Sequence, residues 1–140
     1  MSAVLDASFL SGSLLTSQRV EGAAALLSAI QQRNESLHAP YLLQSEFVSV
    51  VRRLERRGRM TTTEAELTRQ RFWRLPIEFV WDDRWIERAL EISRAIDAST
   101  IYDSLYLACA EALDCQFYTC DAAFCRAFGD RLPARVSLVL

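Results

Sequence analysis

The chain has 140 residues and no lysine; all sixteen of its basic residues are arginine. That absence excludes phosphate-binding loops that set a Lys on the phosphates, and enzymes that work through a Lys Schiff base. Receiver domains, which also rely on a lysine, are excluded with them. Histidine is nearly absent too. His38 is the single one, so any Ser-His or Cys-His machinery would have that residue alone as its base. Its position just before Pro40 reads as an ordinary strand residue. Apolar runs such as "AAALLSAI" are too short to span a bilayer. The first residues pass into "VLDASFL" without a basic leader, so a soluble, cytoplasmic protein is expected.

Cys109, Cys115, Cys120 and Cys125 lack the paired short spacing of a zinc site. They are expected to serve as small buried hydrophobes, with Cys120 set apart by its neighbour Asp121. An enzyme built on this chain must therefore run its chemistry on carboxylates.

What is present fits one folded domain over residues 1–140: 51% of residues are hydrophobic and 24% charged. Net charge is −2, which does not mark a nucleic-acid binder. The halves differ, however. Residues 1–60 carry seven Arg against five acids, and residues 61–140 nine against thirteen, giving +2 and −4. The excess of positive charge gathers in "RRLERRGR", with Arg52, Arg53, Arg56, Arg57 and Arg59.

Short apolar runs alternate with longer helical stretches, without repeats or linkers. "AVLDA" (Ala3–Ala7), "LHA", "IEFVW", "QFYTC" and "RVSLVL" read as strands. "FLSGSLLTS" reads as a loop or short helix and "VEGAAALLSAIQQR" as a helix. Pro40 is expected in the first turn of a helix that runs to a stop at Gly58. Thr61 and Glu64 have the spacing of a capping box, and further helices follow in "DDRWIERALEISRAID", "IYDSLYLACAEALD" and "AAFCRAF". Strands separated by helices imply an α/β fold, a parallel sheet with helices on both faces. Function in such sheets gathers beyond the carboxyl ends of the strands, near a switch in strand order.

Four acids fall where that rule looks. Asp6 ends the first strand, Asp121 follows "QFYTC", and Asp103 opens a nearly all-apolar helix with Tyr106, Leu107 and Ala110 along its face. Glu46 interrupts the apolar stripe of Leu42, Leu43, Phe47, Val50, Val51 and Leu54. Each has a structural explanation alone: a helix-end charge for Asp103, a cap for Asp121, a turn for Asp6, a buried pair with Arg53 or another arginine for Glu46. Together they would repel by about 4 kcal/mol per pair at 4 Å and an effective dielectric near 20. With no lysine to neutralise them, the fitting counter-charge is a hard divalent cation, Mg²⁺ or Mn²⁺.

"VLDAS", "LLQSEFVSVVRRL", "YDSLYLACAEALDC" and "FYTCDAAF" resemble, in order, the blocks of the PIN domain, particularly the VapC-type toxins of bacterial toxin–antitoxin pairs. The resemblance spans essentially the whole chain, and it places the acidic site on Asp6, Glu46, Asp103 and Asp121, none of them substituted. Cys120 stands where a small non-thiol residue is common. The resemblance implies a three-layer α/β/α fold with a central parallel sheet of about five strands. It further implies a metal-dependent endoribonuclease, with Asp6 and Asp103 as direct ligands, Asp121 a ligand or acting through water, and Glu46 orienting water or completing the shell. Ser8 and Thr119 would support these ligands. The arginines of "RRLERRGR" would contact RNA phosphates or a partner, or else form a solvated helix end. A cognate antitoxin and a homodimer are the implied partners, with Phe72, Trp73, Trp81 and Trp85 expected in the core or the dimer interface. An RNA-processing PIN nuclease without a toxin role, and a non-catalytic RNA-binding or protein-docking module, are the competing readings. An aspartyl-nucleophile phosphatase would need a second Asp at position 8, where the chain has Ser.

Overall fold

The apolar run Ser2–Leu5 forms strand β1, and it ends one residue before Asp6 because the Asp6 side chain accepts the backbone N–H of Phe9 and so caps helix α1 (Ala7–Leu14). The computed structural model describes all residues, Met1 to Leu140. The stretch left open as a loop or short helix is thus helical, stabilised tertiarily: Phe9 through Ser13 are buried. Gly12 permits its close approach, since a Cβ there would lie 3.0 Å from Val20 Cγ2 and 3.4 Å from Cys120 Sγ.

Helix α2 (Glu21–Gln32) leads to β2 (Ser36–Pro40). Here the expectation for Pro40 is corrected. Pro40 is the last residue of the strand, paired with Val80, and lies past the last β1 partner, His38. Its missing N–H is tolerated at a strand end, and helix α3 (Leu42–Arg56) starts two residues on. Gly58, at φ 71°, takes the left-handed conformation after that helix as expected. The Thr61 hydroxyl accepts the Glu64 N–H at 3.0 Å and opens α4 (Thr62–Arg74). There follow β3 (Ile77–Val80), α5 (Arg84–Ala95), α6 (Tyr102–Leu113), β4 (Gln116–Thr119), α7 (Ala122–Ala127) and β5 (Val136–Leu138).

All five strands run parallel in the order β3-β2-β1-β4-β5. The chain builds outward from β1 to β3, then returns to add β4 on the other side of β1. The switch in strand order therefore lies between β1 and β4. Helix α1 packs against α2 and α3, and α3 against α4, whereas α5 pairs with α6, and α6 lies across β1, β2 and β4. His38 sits in β2 opposite Glu78 of β3, its ring 3.7 Å from that carboxylate, an ordinary strand residue.

The core is one continuous cluster that includes Val4, Leu5, Phe9, Phe47, Phe72 and Phe117. Phe72 and Trp85 belong to it, while Trp73 and Trp81 are exposed. Cys109 and Cys125 are buried and all four cysteines are free thiols. Phe47 stacks on Phe72 at 4.7 Å between ring centroids and fastens α3 to α4. Phe47→Ala is expected to destabilise the protein by about 3–5 kcal/mol, read from urea unfolding; a loss under about 1 kcal/mol would show that α3 is not anchored through this ring.

Candidate active site

Asp6, Glu46, Asp103 and Asp121 line a single cleft of about 430 Å³ at the carboxyl ends of β1 and β4, together with Ser8 and Tyr106. Residues separated by most of the chain are brought there by the switch in strand order. Asp6 caps α1, Asp121 caps α7 by accepting the Phe124 N–H at 2.9 Å, Asp103 stands in the first turn of α6, and Glu46 projects from the middle of α3. The cap considered for Asp121 is therefore real, Asp6 bonds a following amide as considered and in doing so caps α1, and both roles coexist with the cleft. Capping engages one oxygen of Asp121, whereas both oxygens of Asp6 accept hydrogen bonds.

Hydrogen bonds hold the rear of the site. Asp6 Oδ1 accepts from the Ser8 hydroxyl at 2.7 Å and the Phe9 N–H at 2.9 Å, and its Oδ2 accepts from the Thr119 hydroxyl. Each hydroxyl serves twice, because Ser8 Oγ accepts the Cys120 N–H at 2.9 Å and Thr119 Oγ1 accepts the Asp121 N–H at 3.0 Å. Ser8 and Thr119 thus tie the end of β1 to the end of β4. Thr119 is fully buried behind Asp6 rather than in the cleft.

Tyr106 was legible in the sequence only as part of an apolar helix face. Its hydroxyl donates to Glu46 Oε1 at 2.5 Å, and its ring stacks on Phe117 at 6.1 Å. Its partner lies 60 residues away in the chain, so no local pattern reveals this bond. Burial and the adjacent Glu46 charge hold the phenol far above its ordinary range, so it remains a donor.

Electrostatics confirm that the acids sense one another. Burial pushes the Asp6 carboxyl up to about 6 against the pull of Thr119, Ser8 and Phe9, and Asp103 adds repulsion. Asp103, exposed at its rim but partly dehydrated by the cleft walls, is also raised to about 6, with Asp121 and Glu46 contributing after burial. Burial raises Glu46 as well, opposed by the Tyr106 bond and by the charge of Arg53. Burial and then Asp6 push the Cys120 thiol up to about 11, so it stays protonated.

The donor set suits a hard cation. All four side chains offer oxygen, and none of them is in an ion pair; every salt bridge of the protein lies elsewhere. Asp103 has no hydrogen bond among the causes of its shift, and the bonds of Asp121 and Glu46 fall on one oxygen each. Oxygens therefore remain unspent on at least three carboxylates. The four carboxylates line one cleft without grouping at the spacing of a closed metal cage.

The arginine run divides. All five residues are exposed, Arg52 is held by Glu55 at 2.8 Å, and none lines the cleft itself. Arg53 alone reaches an adjoining groove beside Glu46.

Fold and cleft define an α/β domain with an acidic centre at its topological switch. The PIN domain profile matches residues 3–129, and the chain belongs to the PIN domain family, within its VapC group. VapC ribonuclease Mb0985 of Mycobacterium bovis is 37% identical over 102 residues, covering 70% of this chain and 78% of that protein. Ribonuclease VapC9 of Mycobacterium tuberculosis matches with the same values. Among solved structures, VapBC2 from Rickettsia felis bound to a promoter DNA fragment superposes with a TM-score of 0.65 at 12% identity, over 99% of this chain and 97% of that one. PAE2754 from Pyrobaculum aerophilum gives 0.62 at 17% identity, over 91% and 84%. These two establish the fold, which is the three-layer parallel architecture expected.

Both raised aspartates bind protons more tightly folded than unfolded, where Asp titrates near 3.8. Metal-free stability should accordingly rise as pH falls from about 6 toward 4, and be reduced by a constant amount above that window. Asp103→Asn is expected to melt higher than the parent at neutral pH, with the difference closing near pH 4. A variant that melts lower at neutral pH would show that Asp103 is a structural residue.

Proposed function

We propose that this chain is a divalent-metal-dependent endoribonuclease, the toxin of a VapC-type toxin–antitoxin pair. One observation carries the reading: four carboxylates share one cleft without an ion-paired arginine, and Glu46, Asp103 and Asp121 each keep an oxygen free of hydrogen bonds. The relatives in Mycobacterium named as ribonucleases support the substrate class.

Asp6, Asp103 and Asp121 would hold Mg²⁺ or Mn²⁺, with Glu46 at the edge of the set. When bound, such an ion polarises a phosphodiester and makes a water acidic enough to attack it. The chain's own residues do the rest. Ser8 and Thr119 hold Asp6 in one orientation. Tyr106 holds Glu46 by Oε1 and leaves Oε2 for the attacking water, whose proton Glu46 would accept.

The VapBC2 neighbour is a complex of two proteins; a VapB-like antitoxin is the proposed partner here, and a homodimer the proposed assembly. Residues 1–140 would act as one domain. No helix is long and apolar enough to cross a membrane, and RNA cleavage would take place in the cytoplasm.

Purified protein free of partner is expected to cleave a mixed RNA pool with Mn²⁺ or Mg²⁺ and to stop with EDTA or Asp6→Asn. No cleavage by folded protein in either metal would remove the nuclease reading. Mn²⁺ at about 100 times its Kd should stabilise the fold by about 2.7 kcal/mol; an unchanged melting temperature would refute a native-state cation site. Tyr106→Phe, which keeps the stack on Phe117, is expected to lower kcat about tenfold with the fold retained. An unchanged kcat would mean that the phenol does not position Glu46.

A further inference from the structure

The carboxylate cleft does not end at Glu46. A groove of about 260 Å³ continues along α3, lined by Ala7, Ser45, Glu46, Ser49, Val50 and Arg53, and it shares Ala7, Glu46 and Val50 with the cleft. Arg53 is the one basic side chain lining either space. The spacing is helical: Ser49 follows Glu46 by three residues and Arg53 follows Ser49 by four, so the three form a row along one face of α3. Side chains on a helix lean toward its N-terminus, which tips the Arg53 guanidinium back toward Glu46.

Arg53 is also the arginine of its run with this combination of place and freedom. Arg52 is engaged by Glu55 at 2.8 Å. Arg56, in the last turn like Arg53, Arg57 at the helix end and Arg59 beyond it line neither space. Arg53 takes part in no ion pair, yet its charge reaches Glu46 and favours its ionised form. A polyanion entering a cleft of four acids needs a positive contact at the entrance, because the acids repel its flanking phosphates. A guanidinium and an exposed Ser49 hydroxyl in a row supply donors suited to a phosphate.

We propose that this groove is the subsite for an RNA phosphate adjacent to the scissile one, bound by Arg53 with Ser49, so that the strand enters along α3. The inference rests on the nuclease reading and adds to it a direction for the strand. Phosphate chemistry favours RNA over a protein partner here, since the groove opens directly into the site where a phosphodiester must lie.

The test is binding of a short fluorescein-labelled single-stranded RNA to Asp103→Asn protein, followed by anisotropy over a salt series. Adding Arg53→Gln is expected to weaken binding about tenfold and to reduce the salt slope by about 0.7. Arg56→Gln should change binding less than about twofold. In otherwise intact protein, Arg53→Gln should raise KM with kcat nearly unchanged. Unchanged RNA binding with Arg53→Gln would overturn the subsite, as would equal losses from both arginines, which describe a diffuse charge effect. A fall in kcat with KM unchanged would overturn it too and make Arg53 a counter-charge for Glu46. Absence of RNA binding by both the Asp103→Asn protein and the parent would remove the nuclease reading itself, and the subsite with it.

Discussion

A carboxylate that is 4% exposed, wrapped by two hydroxyls and a backbone amide, sits where the parallel sheet reverses its order. Asp6 closes the end of β1, starts α1 and reaches β4 through Thr119. Were it merely a buried charge, it would be a liability, since burial alone drives its proton affinity up. Its three donors offset part of that cost and stabilise the ionised form. The same donors, through Ser8 to Cys120 and through Thr119 to Asp121, fix where the fourth acid stands. Strand closure and site geometry are thus one network.

The remaining acids are placed by a different logic. Glu46 and Asp103 come from helices that pack on different elements, and neither is fastened to Asp6 by a hydrogen bond. Helix packing brings them to the cleft against their charges: Asp121 and Glu46 repel Asp103, and Asp103 repels Asp6. Tyr106 keeps Glu46 from swinging into water. Hydrogen bonds thus fix Asp6, Asp121 and Glu46, while Asp103 accepts none.

Charge along the chain has a similar division. Absence of lysine leaves arginine as the sole partner for phosphate, and several arginines are spent elsewhere. Arg88 bridges Glu91 and Glu111, Arg84 is clasped to Asp82, and Arg135 closes the end of α6 on the Ala110 and Cys115 carbonyls. Net acidity therefore says little about nucleic-acid affinity. What matters is which guanidinium is left free beside the acids.

Much was settled by local sequence. Apolar runs separated by amphipathic stretches determined five strands and an α/β architecture, because periodicity is set by a residue's own neighbours. The four acids stood out because a carboxylate at a strand end or on an apolar stripe contradicts its surroundings. Tertiary structure decided the rest. Strand ends shifted where side chains took caps, as at Asp6, and Pro40 joined β2 because the β1 ladder had already ended. The Tyr106–Glu46 bond joins residues 60 apart, and the Thr119–Asp6 bond residues 113 apart. Such partners are chosen by packing of whole elements, which no window of a few turns contains; the same packing singled out Arg53 from five arginines that look alike in sequence.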